Sequence, residues 1–479
     1  MTVADARRSV AGAVASAGGR WPGWVAVAVW AAGIAAAFTV GWHLRRAGLA
    51  TEDALPPLHA RARERPLVWP MLPAVAVAAV AVAVLPPVAA RLAWRWLPPV
   101  AWAGSALWAV ALAVSDGPGA LAGPLQAPTE YPAGLAQVRP DPLAWVRTFT
   151  ERLGGYTTHV RGHPPLPTLV LWLLEEAGFG GTGWAAAFVV AAGSSAMAAI
   201  AVTLRCVAGE GAARAAVPFL VLAPPALWIA TAMDALFLGV GAWGTALVAL
   251  AARRRRRGRG GVWRAVGVAA AGGLLLGCLP YLSYGLLPLF AVPLVVLVLC
   301  RPRPAVLVGL SVGLVVVPAA LTAAGFWWPE GVRATLDTYL ISRGSARRSY
   351  SYFVFADLAV LGLLAGPAVA YALPGTFAVV GRAVRVALRR GPRALLSGTR
   401  ACAPGVGVAL PVCAALVGML ALDVSGVVKG EVERIWLPFA AWLPAAVPLA
   451  WPGGQWARWW LAAQAVTALA VQALVLSEW

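Results

Sequence analysis

The chain has 479 residues, 61% of them hydrophobic and only 12% charged, with mean hydropathy +0.77. A soluble chain carries about 25% charged residues, so this composition excludes a water-soluble globular protein and points to a polytopic membrane protein. The net charge of +19 is almost all arginine, Lys429 being the only lysine; in a membrane protein that excess marks cytoplasmic loops rather than a nucleic-acid surface.

A spanning helix needs roughly 20 apolar residues. Runs of about that size lie at Trp24–His43, Pro70–Ala90, Leu97–Val114, Trp184–Leu204, Arg214–Ala230, Ala235–Ala252 and Trp263–Tyr281. They continue at Gly285–Cys300, Ala305–Ala324, Tyr352–Leu373, Cys402–Leu422, Trp436–Trp451 and Trp459–Leu476. The expected fold is therefore all-α, a single integral membrane domain over residues 1–479 with about 13 transmembrane helices by that measure. Trp24, Trp184, Trp263, Trp436 and Trp459 sit at span ends, where tryptophan anchors in the interface. Arg7 and Arg8 precede a first run as long as a full span with no A-x-A site after it, which predicts an uncleaved first helix. Cys206, Cys278, Cys300, Cys402 and Cys413 lie in or beside apolar runs without a C-x-x-C pair, so neither disulfides nor a thiolate metal site is expected.

Arginine sets the orientation. With these spans, Arg205, Arg214, the run Arg253–Arg257 with Arg259 and Arg264, the pair Arg301/Arg303 and the series Arg382 to Arg400 fall on one side, the cytoplasm. The other side receives loops 116–183, 325–351 and 423–435. Loop Arg45–Arg65 also falls outside and disagrees with the rule, since it holds five arginines against three acids. The apolar stretch Pro164–Ala177 is ~21 Å long as a helix, short of the ~30 Å hydrocarbon core. Counting it as a span would invert every later loop, so it is expected to lie at the outer interface as a juxtamembrane helix.

The chemistry-bearing residues gather in the outer loops. The first holds Asp116, Glu130, Tyr131, Asp141, Glu151, Tyr156, His159, Arg161 and His163. A carboxylate there suits a general base toward a hydroxyl, and Arg161 with a histidine suits neutralising a phosphate. Pro164, Pro165 and Pro167 remove three of the amides that a helix start offers an anion, so side chains must meet it. The bland alternative is a solvated cap on the membrane body. His159 and His163 are four apart, but prolines follow at once and no metal pair on one helix face is expected. The turn Asp423–Pro438 holds Lys429, Glu431, Glu433 and Arg434, either a water-facing collar or part of a sugar and phosphate pocket. Loop 325–351 carries Glu330, Arg333, Asp337, Arg343, Arg347 and Arg348, outer arginines that fit lipid headgroups or an anionic entry groove.

Glu130-Tyr131, His163-Pro164-Pro165-Leu166, the Gly178–Gly183 turn and a following span that ends in arginine together resemble the GT-C glycosyltransferases. The protein mannosyltransferases and the lipid A aminoarabinose transferase are the members it is most similar to. Pro224/Pro225 and Asp234 stand where those families have a proline near the outer end of a later span and an aspartate opening the next. The resemblance covers about Asp116 to Ala252. It implies an inverting transfer, at the outer face, of a sugar from a polyprenyl-phosphate carrier to a glycan, lipid or protein acceptor. Pro128 and Thr129 stand where the family carries its first acid, so Glu130 takes the place of the base, with Asp116 and Asp141 behind it. Tyr131, His159, Arg161, His163, Lys429, Glu431, Glu433 and Arg434 become the expected substrate and phosphate contacts. Some members of the family use a divalent metal and others none, which leaves a metal open; membrane lipids and the lipid-linked donor are the expected partners. The other function class is a transporter or a flippase for lipid-linked sugars. That class places ionisable residues inside spans, where this chain has few acids: Asp357, and Asp234 at an edge.

Overall fold

A computed structural model describes residues 21–49, 53–64, 68–230, 232–253, 259–341, 347–390, 404–450 and 455–477. Most of the Arg253–Arg257 run, Arg343, the end of the Arg382–Arg400 series, Cys402, Arg7 and Arg8 lie outside the described residues. The structure is 82% helical. In chain order it contains α1 (Trp21–Arg46), α2 (Leu72–Arg91), α3 (Leu97–Ala113), α4 (Leu166–Glu176), α5 (Thr182–Val207), α6 (Glu210–Val221) and α7 (Asp234–Arg253). Then follow α8 (Arg259–Leu282), α9 (Ala291–Cys300), α10 (Pro304–Ala323), α11 (Trp328–Ile341), α12 (Tyr350–Arg390), α13 (Pro404–Ser425) and α14 (Gln455–Leu474).

Among the described residues nine helices are long and apolar enough to cross a membrane. The other expected spans are helical but broken or more polar. Pro224 and Pro225 separate α6 from a one-turn helix at Ala226–Ile229. Pro288 lies in a 3-10 segment that delays the start of α9. Pro438, Pro444 and Pro448 divide the Trp436–Trp451 run into short pieces. Each proline deletes an intrahelical hydrogen bond and crowds the preceding turn, which is why apolarity alone overstates the continuous helix there. α14 is long enough but carries Arg458, Gln464 and Gln472.

Two packing devices shape the bundle. Gly309 and Gly313 of α10 lie against the Val266 and Ala270 carbonyls of α8, so close that a Cβ at Gly313 would overlap the Ala270 oxygen. Small residues let two membrane helices approach in this way, where hydrophobicity gives them no drive to associate. α12, 41 residues long, is two helices meeting at Gly366, whose φ of 72° breaks the turn. Gln464 of α14 repairs the break: its Oε1 accepts from the Ala368 amide at 3.1 Å and its Nε2 donates to the Ala365 carbonyl at 2.9 Å. In hydrocarbon those backbone groups have no water to turn to.

The segments that carry polar residues meet on one face of the bundle. A strand at Ala60–Ala62 pairs antiparallel with Val475–Ser477, tying the α1–α2 connection to the end of α14. The last expected span therefore stops at Leu474, and the chain continues as strand. Arg63 bonds Asp116 through both guanidinium nitrogens, and Thr335 of α11 donates to the Arg161 carbonyl. At the opposite end of the spans Glu210 holds Arg205 and Arg214, and Arg253 donates to the Arg205 carbonyl.

Candidate functional site

Where these segments converge, a chain of charged side chains lies buried under them. Arg434 is its hub. One nitrogen donates to Asp234 Oδ2 at 3.2 Å; the other donates to Glu431 Oε2 at 2.7 Å and lies 3.4 Å from His159 Nε2. His159 Nδ1 in turn lies 2.8 Å from Glu130 Oε1. On the far side Glu431 Oε1 accepts from Arg348 at 3.2 Å, and Arg348 also donates to Asp53 Oδ1 at 2.9 Å. Asp53 Oδ1 sits 2.6 Å from His59 Nδ1, and the His59 amide donates to Glu433 Oε1 at 3.1 Å. The network runs Glu130–His159–Arg434–Glu431–Arg348–Asp53–His59, with Asp234 and Glu433 as branches. Asp53, Glu130, His159, Asp234, Arg348, Glu433 and Arg434 are all buried. Buried charges are tolerated only when each finds a partner, and removing one partner strands another.

Local structure aims these groups. Asp234 opens α7 directly after the Pro224-Pro225 break, and its carboxylate meets Arg434 instead of solvent. Gly430 (φ 73°) and Glu431 (φ 58°) are both left-handed, which turns the chain sharply after α13. A left-handed residue with a side chain costs roughly 1–2 kcal/mol, and two arginine bonds hold Glu431 there. The Gly430 amide donates to Asp357 in α12, fixing the turn to a span. The Arg348 guanidinium also donates to the Lys429 carbonyl at 2.9 Å, bracing the same turn.

An aromatic wall closes the other end. Tyr131 stacks on His159 with ring centroids 5.8 Å apart and meets His163 edge-on at 5.5 Å; Phe237 lies beyond at 6.2 Å. His163 Nδ1 is 2.9 Å from the His159 carbonyl and donates to it, which leaves Nε2 bare. Burial, with Arg434 and His159 nearby, drives the His163 pKa down to about 4 against the pull of Asp234. His163 is therefore neutral at physiological pH, an acceptor rather than a cation. Burial by itself would raise the Glu431 carboxyl; Arg434, Arg348 and His59 outweigh it and hold Glu431 at about 2. Burial alone would lower His59, but the Asp53 bond and the Glu431 charge raise it above its ordinary value.

The structure thus brings together Glu130, Tyr131, His159, His163, Glu431, Glu433 and Arg434, with Lys429 joining through its carbonyl. It leaves three sequence candidates elsewhere. Asp116 pairs with Arg63 and accepts from Gln472 at 3.0 Å. Asp141 caps the short helix Pro142–Arg147 by accepting from the Ala144 amide at 2.9 Å. The Arg161 guanidinium takes no part in the network among the described residues. Asp53 and His59 were not singled out by the sequence, and Arg348 was named only among the outer arginines of loop 325–351. Two signals were there: a loop whose arginines contradict the charge rule, and Leu55-Pro56-Pro57-Leu58, which repeats the P-P-L of Pro164-Pro165-Leu166.

A groove of about 640 Å³ opens between α3 and α5, lined by Trp102, Ala106, Val110, Leu121, Gly183 and Val190. A smaller one of about 210 Å³ lies next to it, between Pro132, Leu135, Arg139, Leu171, Glu175 and Ala185. The first suits a hydrocarbon chain and the buried network suits polar chemistry. Among the described residues no three His, Cys, Asp or Glu side chains group closely enough to hold a metal ion. No family model, curated protein or solved structure matches this chain.

Proposed function

We propose that the chain is a membrane glycosyltransferase of the GT-C kind, with its network face extracytoplasmic. It moves a sugar from a polyprenyl phosphate to an acceptor hydroxyl. The observation that carries the reading is the buried carboxylate–histidine–arginine chain from Glu130 to Arg434, placed where the segment before α4, the start of α7 and the turn after α13 meet. In the step, the acceptor oxygen bonds to the anomeric carbon as the bond from that carbon to the phosphate oxygen breaks. The electron pair leaves with the phosphate, and the acceptor proton passes to Glu130, held in place by His159. Arg434 faces the negative charge that develops on the leaving phosphate, in a setting where water does not screen it. Neutral His163 accepts a hydroxyl, and the α3–α5 groove takes the polyprenyl tail. Inversion follows from a single displacement.

The test is transfer of radiolabel from a polyprenyl-phosphate sugar to an acceptor in membranes holding the chain. Glu130→Gln and His163→Ala each abolish it at unchanged protein level; undiminished transfer in both ends the assignment. The second reading is a transporter or flippase. It is favoured by the break in α12 at Gly366 and by the buried Asp357 in the same helix, since transporters build sites on discontinuous helices. Solute movement into vesicles without sugar transfer would select it.

A further inference from the structure

Arg348 and Arg434 share one carboxylate. Glu431 accepts from Arg348 through Oε1 and from Arg434 through Oε2, so the two guanidiniums converge on a single anion. Each also has a second acid of its own: Asp53 for Arg348 and Asp234 for Arg434. The private partners are deep, with side chains 1% and 7% exposed, whereas the shared Glu431 is 22% exposed. His59, on the other side of Asp53, is 28% exposed and marks the same mouth. Glu431 is thus the outermost anion of the pair and the one whose departure would leave neither arginine without a buried counter-ion. Its backbone is left-handed at φ 58°, a conformation that favours glycine, so the position keeps a side chain against its backbone preference.

We propose that Glu431 is a built-in placeholder for a phosphate monoester: it occupies the seat between Arg348 and Arg434 and yields it to the carrier phosphate that the departing sugar leaves behind. A carboxylate offers two oxygens to two guanidiniums; a phosphate offers three oxygens and up to two charges to the same donors, which arginine forks match well. Asp53 and Asp234 keep the guanidiniums aimed during the exchange, and His59 supplies a further donor at the mouth. Lys429, two residues before Glu431, brings a further cation to the turn. The proposal deepens the reading given above and rests on it for the source of the phosphate, a lipid carrier. It adds Arg348, with Asp53 and His59 behind it, to the residues that handle that group, and it gives Glu431 a role distinct from binding sugar hydroxyls.

The test uses the purified full-length chain in detergent and needs no sugar transfer, so its outcome is independent of whether transfer is found. Wild type, Glu431→Gly and Glu431→Gln are titrated calorimetrically with inorganic phosphate and with farnesyl phosphate, farnesol serving as the uncharged control. Glycine removes the carboxylate and accepts the left-handed turn; glutamine keeps the bulk and removes the charge. Both variants bind phosphate about tenfold or more tighter than wild type, and the gain disappears when Arg348→Gln is added. A gain with farnesyl phosphate alone supports the proposal and identifies a lipid-borne phosphate; a gain with both probes supports it with the free anion as a ligand too. Equal affinities in all three chains overturn it. Loss of the folded chain in both variants overturns it as well, because Glu431 would then be a structural keystone.

Discussion

Asp141 and Glu130 belong to one loop and share one chemistry, yet their surroundings give them different work. Asp141 accepts from an amide at a helix start and is exposed, whereas Glu130 lies buried against His159. Asp141→Ala therefore costs about 1 kcal/mol of stability, the value of an N-cap, and leaves sugar transfer unchanged. Heat-denaturation midpoints and transfer rates of the same preparation check both halves. His163 gives a pH dependence. The folded chain holds it neutral down to about pH 4, whereas an unfolded imidazole takes up its proton near 6.5. Between those values the unfolded state binds more protons, so stability falls as the pH drops through that window. His163→Asn flattens the slope there. Glu431 acts in the same direction only below the ordinary value of 4.5, since its folded carboxyl stays ionised to about 2.

At the scale of elements, the α1–α2 connection shows why part of the site was illegible. Arg45–Arg65 reads as a basic loop on the wrong side, and periodicity says nothing about a stretch with no regular helix. Asp53 and His59 reach the network because Ala60–Ala62 pairs with Val475–Ser477, a contact between opposite ends of the sequence that no local pattern encodes. The turn at Glu431 and the P-P-L helix start were legible, because their residue types and spacing act locally. Long-range partners were not: nothing near Arg434 in sequence indicates Asp234, and nothing near Arg348 indicates Asp53. The break in α12 is another such case, invisible at Gly366 until Gln464 is set against it. Gln464→Leu strands the Ala368 amide and the Ala365 carbonyl in the bundle interior, a loss of about 1–3 kcal/mol for each buried group left unpaired. A lower unfolding midpoint in detergent checks it, and recovery with Gln464→Asn is not expected, because the shorter amide does not span the break.

For the whole molecule, composition established the class and hydropathy located the helices, while proline decided which apolar runs became continuous spans. The arginines that sequence placed on one side include Arg205, Arg214 and Arg253, which cluster around Glu210 at the end of the bundle away from the network. That separation leaves an arginine cluster around Glu210 at one end of the bundle and the buried network of acids, histidines and arginines at the other. The Glu130–His159–Arg434 chain is proposed to move a sugar off a lipid phosphate. Its most direct measurement is transfer from a radiolabelled polyprenyl-phosphate sugar by purified chain in liposomes, comparing wild type with Arg434→Gln. Wild type puts label into the acceptor and the variant at least about a hundredfold less, the loss usual for one electrostatic contact to a developing charge. Equal transfer by the two chains would contradict it.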